Sequence, residues 1–120
     1  MPQNRIEYSG NLGGSFDAVA FAHVVHEHLV EEAKAEPASC KTRLVDLNQV
    51  VIGDGSDRNA MIHVDLRILP GRTEEQKRRL SEAVLSSLRD AVREPEQFDL
   101  QLSVEVRELG EHYRKVRLQP

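Results

Sequence analysis

The stretch AMIHVDLRILPGRTEEQKRRLSEAVLSSLRDAV (residues 60–92) carries two periodicities in succession. Ile62, Val64, Leu66 and Ile68 alternate with Met61, His63, Asp65 and Arg67, the period of two that gives a strand one apolar and one polar face. After the Gly71-Arg72 turn the spacing changes: Leu80, Val84, Leu88 and Ala91 share one side of a helix, and Thr73 with Gln76 has capping-box spacing. A second alternation follows, with Leu100, Leu102, Val104 and Val106 on one face. This half of the chain therefore reads strand, helix, strand.

The first half repeats that order more faintly. A short strand is expected near Arg5 to Tyr8, and Ser15 is the expected N-cap of a helix that ends before Pro37. The helix carries Ala18, Ala22, Val25, Leu29 and Ala33 within a narrow arc. A third segment, Lys41 to Val51, reads as a strand before the turn residues GDGSDRN (53–59). Sliding the sequence so that Ser15 falls on Thr73 puts Ile6 on Val64 and Leu44 on Leu102. The pattern predicts an α/β chain: two tandem βαβ units, 2–51 and 59–108, form a four-stranded sheet with two helices on one face. Each unit should pair its own strands in parallel through the helical crossover. One domain spanning 1–120 is expected, with 109–120 as a polar C-terminal arm laid on a neighbouring subunit.

Composition narrows the class of function. Apolar residues make up 39% and charged residues 30% of the 120, which is the balance of a soluble globular protein. Lone Cys40 can form no internal disulfide, no apolar run is long enough to cross a bilayer, and the N-terminal residues do not resemble a secretory signal. A cytoplasmic protein without membrane contact is expected. The net charge is −4, and although YRKVR (113–117) is basic, no stripe of Lys and Arg interleaved with aromatics runs through the chain, so nucleic acid is not an expected partner. The histidines of AHVVHEHL (22–29) do not make a metal centre: at ~100° per residue His28 points ~160° away from His26, and one ion cannot collect both with His23. Cys40 reads as a small buried side chain and Glu7 as a strand-surface acid.

The Met1-Pro2 start, the IEYS of the first strand (6–9), the segment CKTRLVDLNQVVIGDGSDRNAMIHVDLRILPGR (40–72) and the helix opening GRTEEQK (71–77) together resemble the 5-carboxymethyl-2-hydroxymuconate isomerases. That family belongs to the tautomerase superfamily, and the similarity spans nearly the whole chain. The resemblance implies a tautomerase (MIF-like) fold, a homotrimer and a cofactor-free isomerase of aromatic catabolism that binds a small di- or tricarboxylate. It also implies Pro2 as the proton shuttle: with Met1 removed, Pro2 presents a secondary amine, and only that form accepts a proton. Burial and neighbouring cations would bring such an amine toward neutrality.

Arg72 matches the family's arginine in the turn of the second unit. Arginine suits this role because its planar fork grips a carboxylate with two hydrogen bonds. The family's other cation falls on Lys41, a departure from its usual arginine, and Arg43, two residues on and on the same face of the strand, is a second substrate-binding candidate that could share or replace its role. Lysine offers a point charge without the fork, which leaves open another tautomerase activity on a smaller 2-oxo acid. A non-catalytic binding or assembly protein of the same fold would need no free Pro2 amine.

Overall fold

The computed structural model describes residues 1–120. Four strands, β1 (Gln3–Ser9), β2 (Lys41–Leu47), β3 (Asn59–Ile68) and β4 (Asp99–Glu108), form one mixed sheet in the order β2-β1-β3-β4. Helices α1 (Ala18–Ala33) and α2 (Glu74–Ala91) connect β1 to β2 and β3 to β4. Both outer pairs are parallel, as a crossover through a helix requires, and the central pair β1–β3 is antiparallel. The helices pack on each other and cover one face. On that face Ile6, Ile62, Val64, Leu66 and Ile68 of the central strands meet Phe21, Val25, Leu29, Leu80, Val84 and Leu88 of the helices, all at most 2% exposed.

Helix α2 starts where the sequence places it. Thr73 accepts a hydrogen bond from the Gln76 backbone at 3.1 Å, and the Gln76 side chain accepts one from the Thr73 backbone at 2.9 Å. Such a cap is worth about 1 kcal/mol, and Glu74 and Glu75 in the first turn suit the helix dipole.

Three details of the first unit differ from expectation. The N-cap of α1 is Asp17, which accepts from the Ala20 backbone at 3.0 Å, because residues 10–15 are taken up by a 3-10 turn and Ser15 gives its carbonyl to Arg93. The α1 stripe buries Phe21 and leaves Ala22 half-buried. Strand β2 ends at Leu47 rather than Val51, because its partner β1 ends at Ser9, opposite Leu47, and offers no further backbone groups. Val51 is accordingly 85% exposed.

The repeat is visible in the register. Ile6 and Val64, which the slide superposes, are direct partners across β1 and β3, so a local two-fold axis passes between them. Ile6 pairs with Leu44, and Val64 with Val104. The counterpart of Leu44 is therefore Val104, two residues beyond the Leu102 of the simple slide, and α2 at 18 residues is two longer than α1 at 16.

The uncovered face carries the polar set. Asp65, at its centre and 8% exposed, accepts from Arg107 at 2.7 and 3.1 Å and from Arg67 at 3.2 Å. Burial alone would raise the Asp65 pKa, but the hydrogen bonds and charge of Arg107, then of Arg67, outweigh it and hold the carboxyl below its ordinary value. The stabilising effect of such a depressed pKa is present above the unfolded-state value and is lost as pH falls through the folded-state one. We expect Asp65→Asn to lower stability by about 1–3 kcal/mol near neutrality, and the gap from wild type to close in acid. Urea unfolding at several pH values checks both; a gap that persists in acid would refute the account.

The arm begins with Leu109, 9% exposed, whose N–H donates to the Ile68 carbonyl at 2.7 Å. It forms no strand. Instead Tyr113 returns to β1, where its hydroxyl accepts from the Gln3 side chain at 3.1 Å.

Candidate functional site

The start of β1 lies in a corner made by four separated segments. Pro2 is buried, and its carbonyl accepts from the Lys41 N–H at 3.2 Å, so the chain start is the last rung of the β1–β2 ladder. Antiparallel β3 brings its C-terminal end beside the start of β1, and the chain turns there at Gly71, whose φ of 114° favours glycine. Arg72 follows, half-buried, and its Nε donates to the Ala33 carbonyl at the end of α1 at 2.8 Å. That bond ties the α2 entrance to the α1 exit and fixes the guanidinium near the chain start.

The electrostatics of the corner show in the α-amino group of Met1. Its pKa lies below that of an ordinary chain end: burial is the main cause, Arg72 the next, and Lys115 and Lys41 lower it further against an opposing effect of Cys40. The Cys40 thiol is pushed up, chiefly by burial, and donates weakly to the Glu36 carbonyl at 3.6 Å. It is not a thiolate nucleophile in this setting. Lys41 donates its ammonium to the Ser39 carbonyl at 2.6 Å.

The structure thus places Pro2, Arg72 and Lys41 around one corner. Arg43 lies elsewhere. Like Lys41 it is on the uncovered face, but its Nη1 donates to the Gln3 side chain at 2.8 Å, and it lines a hollow of about 400 Å³ with Arg5, Arg67 and Asp65. Lys41, Arg43, Arg72 and Lys115 form no ion pair with a carboxylate, as is true of most Lys and Arg residues here; Arg67, Lys77, Arg78, Arg79 and Arg107 are the paired ones.

The histidines diverge as their spacing requires. His26 Nε2 meets Thr42 Oγ1 of β2 at 2.7 Å, and His28 Nε2 meets Ser87 Oγ of α2 at 2.7 Å. His23 and His26 stand edge to face, with ring centroids 6.3 Å apart. Burial first, and His23 second, lower the pKa of His26.

Two contributors were not singled out from the sequence, Lys115 and the Gln3–Tyr113 pair. The basic run YRKVR is plain in the sequence, but its position beside residue 3 comes from the return of the arm, which no local period encodes.

As long as Met1 precedes it, the nitrogen of Pro2 is an amide and has no lone pair to offer a proton. An amine freed at that position would stand in a partly buried, cation-rich setting, where the neutral form is favoured. The cations themselves can hold carboxylates and stabilise negative charge as it develops on a substrate.

The 5-carboxymethyl-2-hydroxymuconate isomerase family model matches residues 2–118. A crystal structure of a 5-carboxymethyl-2-hydroxymuconate isomerase from Deinococcus radiodurans R1 superposes with a TM-score of 0.85 at 26% identity, covering 98% of this chain and 90% of that one. A 5-carboxymethyl-2-hydroxymuconate delta-isomerase gives 0.85 at 21% identity, with 98% and 88% coverage. A fused 4-OT described as a symmetric trimer gives 0.72 at 19% identity, with 95% and 90% coverage. The comparison with curated proteins found no match. No helix is long and apolar enough to cross a membrane. With a family match over almost every residue and a mixed four-stranded sheet of the fold the resemblance implied, the chain belongs to the 5-carboxymethyl-2-hydroxymuconate isomerase family and is an isomerase of the tautomerase superfamily.

Proposed function

We propose that this protein isomerises a 2-hydroxymuconate-type dienoate, such as 5-carboxymethyl-2-hydroxymuconate, to its 2-oxo-enoate isomer, without a cofactor, in the breakdown of aromatic compounds. The observation that carries this reading is the collection of Arg72, Lys41 and Lys115 around a partly buried chain start, without a carboxylate paired to any of them. Most Lys and Arg residues of the chain form no ion pair, so the weight falls on the clustering of these three at one corner rather than on their being unpaired.

The steps follow from the residues. With Met1 removed, the Pro2 amine takes the proton of the 2-hydroxyl group, and the electron pair left on oxygen moves through the conjugated diene. The same nitrogen, now protonated, returns its proton to a carbon farther along the chain, so nothing is oxidised or reduced. Arg72 and Lys41 hold carboxylates and offset the charge that builds up on the dienolate. Assembly as a homotrimer would bring other subunits to this corner; the trimeric fused 4-OT is the relative that supports it.

The reading is tested by following loss of dienol absorbance on adding protein whose Met1 removal has been verified by intact mass. The base must be unprotonated, so kcat/KM is expected to fall toward acid pH, with the midpoint of that limb below the pKa of a free prolyl amine. The Lys41 departure favours one further comparison, against a smaller 2-oxo acid: preference for that substrate would replace the proposed one. Absence of turnover with either would point to a binding protein of this fold.

A further inference from the structure

Beyond the chain start, the C-terminal arm encloses a hollow of about 370 Å³ against the ends of β1 and β2. Its wall holds four cations, Lys41, Arg114, Lys115 and Arg117, and no acidic residue. Arg114 spends its guanidinium on the carbonyls of Glu111 and Tyr113, which stiffens the arm, while the ammonium of Lys115 has no carboxylate or carbonyl partner. The arm is held in place by a short relay: Arg43 donates to the Gln3 side-chain oxygen at 2.8 Å, and the Gln3 nitrogen donates to the Tyr113 hydroxyl at 3.1 Å. Like charges crowded at one corner repel each other, and a ligand with several negative groups relieves that repulsion.

We propose that the arm is part of the substrate site, with Lys115 binding a carboxylate remote from the reacting carbons and the Gln3–Tyr113 hydrogen bond positioning it. Lys115 then selects for a third carboxylate, while Arg72 and Lys41 hold the two that any muconate-type acid carries. This rests on the isomerase reading given above for what the corner does, and it adds a residue that sets substrate preference. Arg43, a candidate carboxylate ligand because it shares the strand face of Lys41, acts in this arrangement as a positioning residue through Gln3.

The test compares two substrates, 5-carboxymethyl-2-hydroxymuconate with three carboxylates and 2-hydroxymuconate with two. Lys115→Ala is expected to lower the ratio of kcat/KM for the first over the second about tenfold, through KM rather than kcat, the size of one charge-assisted contact. Lys115→Arg should restore most of the ratio, and Tyr113→Phe should lower it by less, since it loosens the arm without removing the charge. An unaltered ratio in Lys115→Ala, or a fall that lies in kcat, would overturn the proposal. Should wild type turn over neither acid, the isomerase reading fails, and the arm is decided by calorimetric binding of propane-1,2,3-tricarboxylate. About tenfold weaker binding to Lys115→Ala supports the arm as a carboxylate ligand, and equal binding refutes it.

Discussion

Protein that retains Met1 is expected to turn over its substrate at least a hundredfold more slowly than protein that has lost it, and Pro2→Ala, freed of Met1, should fall between the two. A positioned acid–base group contributes about 10²–10⁴ to rate, and an amide at residue 2 removes that contribution altogether. Alanine keeps an amine but loses the ring, which is buried here and fixes where the nitrogen points. The intermediate rate of Pro2→Ala should therefore come with an altered acid limb in the pH profile, because a flexible primary amine feels Arg72, Lys115 and Lys41 differently. Intact mass on each preparation, beside initial rates from pH 5 to 9, makes the comparison. Matching rates in all three forms would rule out the proline as the base.

Arg72→Ala should produce the second large effect, and it divides into two measurable parts. Removal of a cation at developing negative charge is expected to cost about 10²–10³ in kcat/KM. Separately, loss of the hydrogen bond to the Ala33 carbonyl at the negative end of the α1 dipole should lower stability by about 1–2 kcal/mol. Arg72→Lys keeps the charge without the fork and should recover part of the rate. Denaturant unfolding of the same variants distinguishes the two parts: a rate loss fully explained by the unfolded fraction would leave Arg72 a structural residue only.

How much of this was legible in the sequence depended on whether the signal was local. Strand β3 and helix α2 were plain, because alternation from Ile62 to Ile68 and the Thr73–Gln76 box are both short-range patterns. The first unit was harder. Ser15 and Asp17 are both good caps, and the choice was made by the 3-10 turn and by the bridge of Phe16 to Val92, a residue of the other unit. The end of β2 was set by the length of its partner rather than by its own residues, which remain strand-like through Val51. Pro2, Lys41 and Arg72 were readable only together with a family resemblance, and the sequence did not tell the Lys41 corner apart from the Arg43 hollow. Lys115 lay in a segment whose charge was evident and whose destination was not.

The two-fold axis between Ile6 and Val64 has a consequence for stoichiometry. It carries the corner at the start of β1 onto a matching corner at the start of β3, at the opposite end of the sheet. There Ala60 takes the place of Pro2, Gly14 that of Arg72, and Gln101, two positions along from Ser103 on β4, that of Lys41. The turn itself survives, since Gly13 and Gly71 both have positive φ. The nitrogen of Ala60 lies in mid-chain and can never be an amine. On the proposed mechanism, a fold built twice from one plan thus has a single corner whose nitrogen can become the base, and an assembly of these chains would hold one such centre per chain, half of what its internal symmetry suggests.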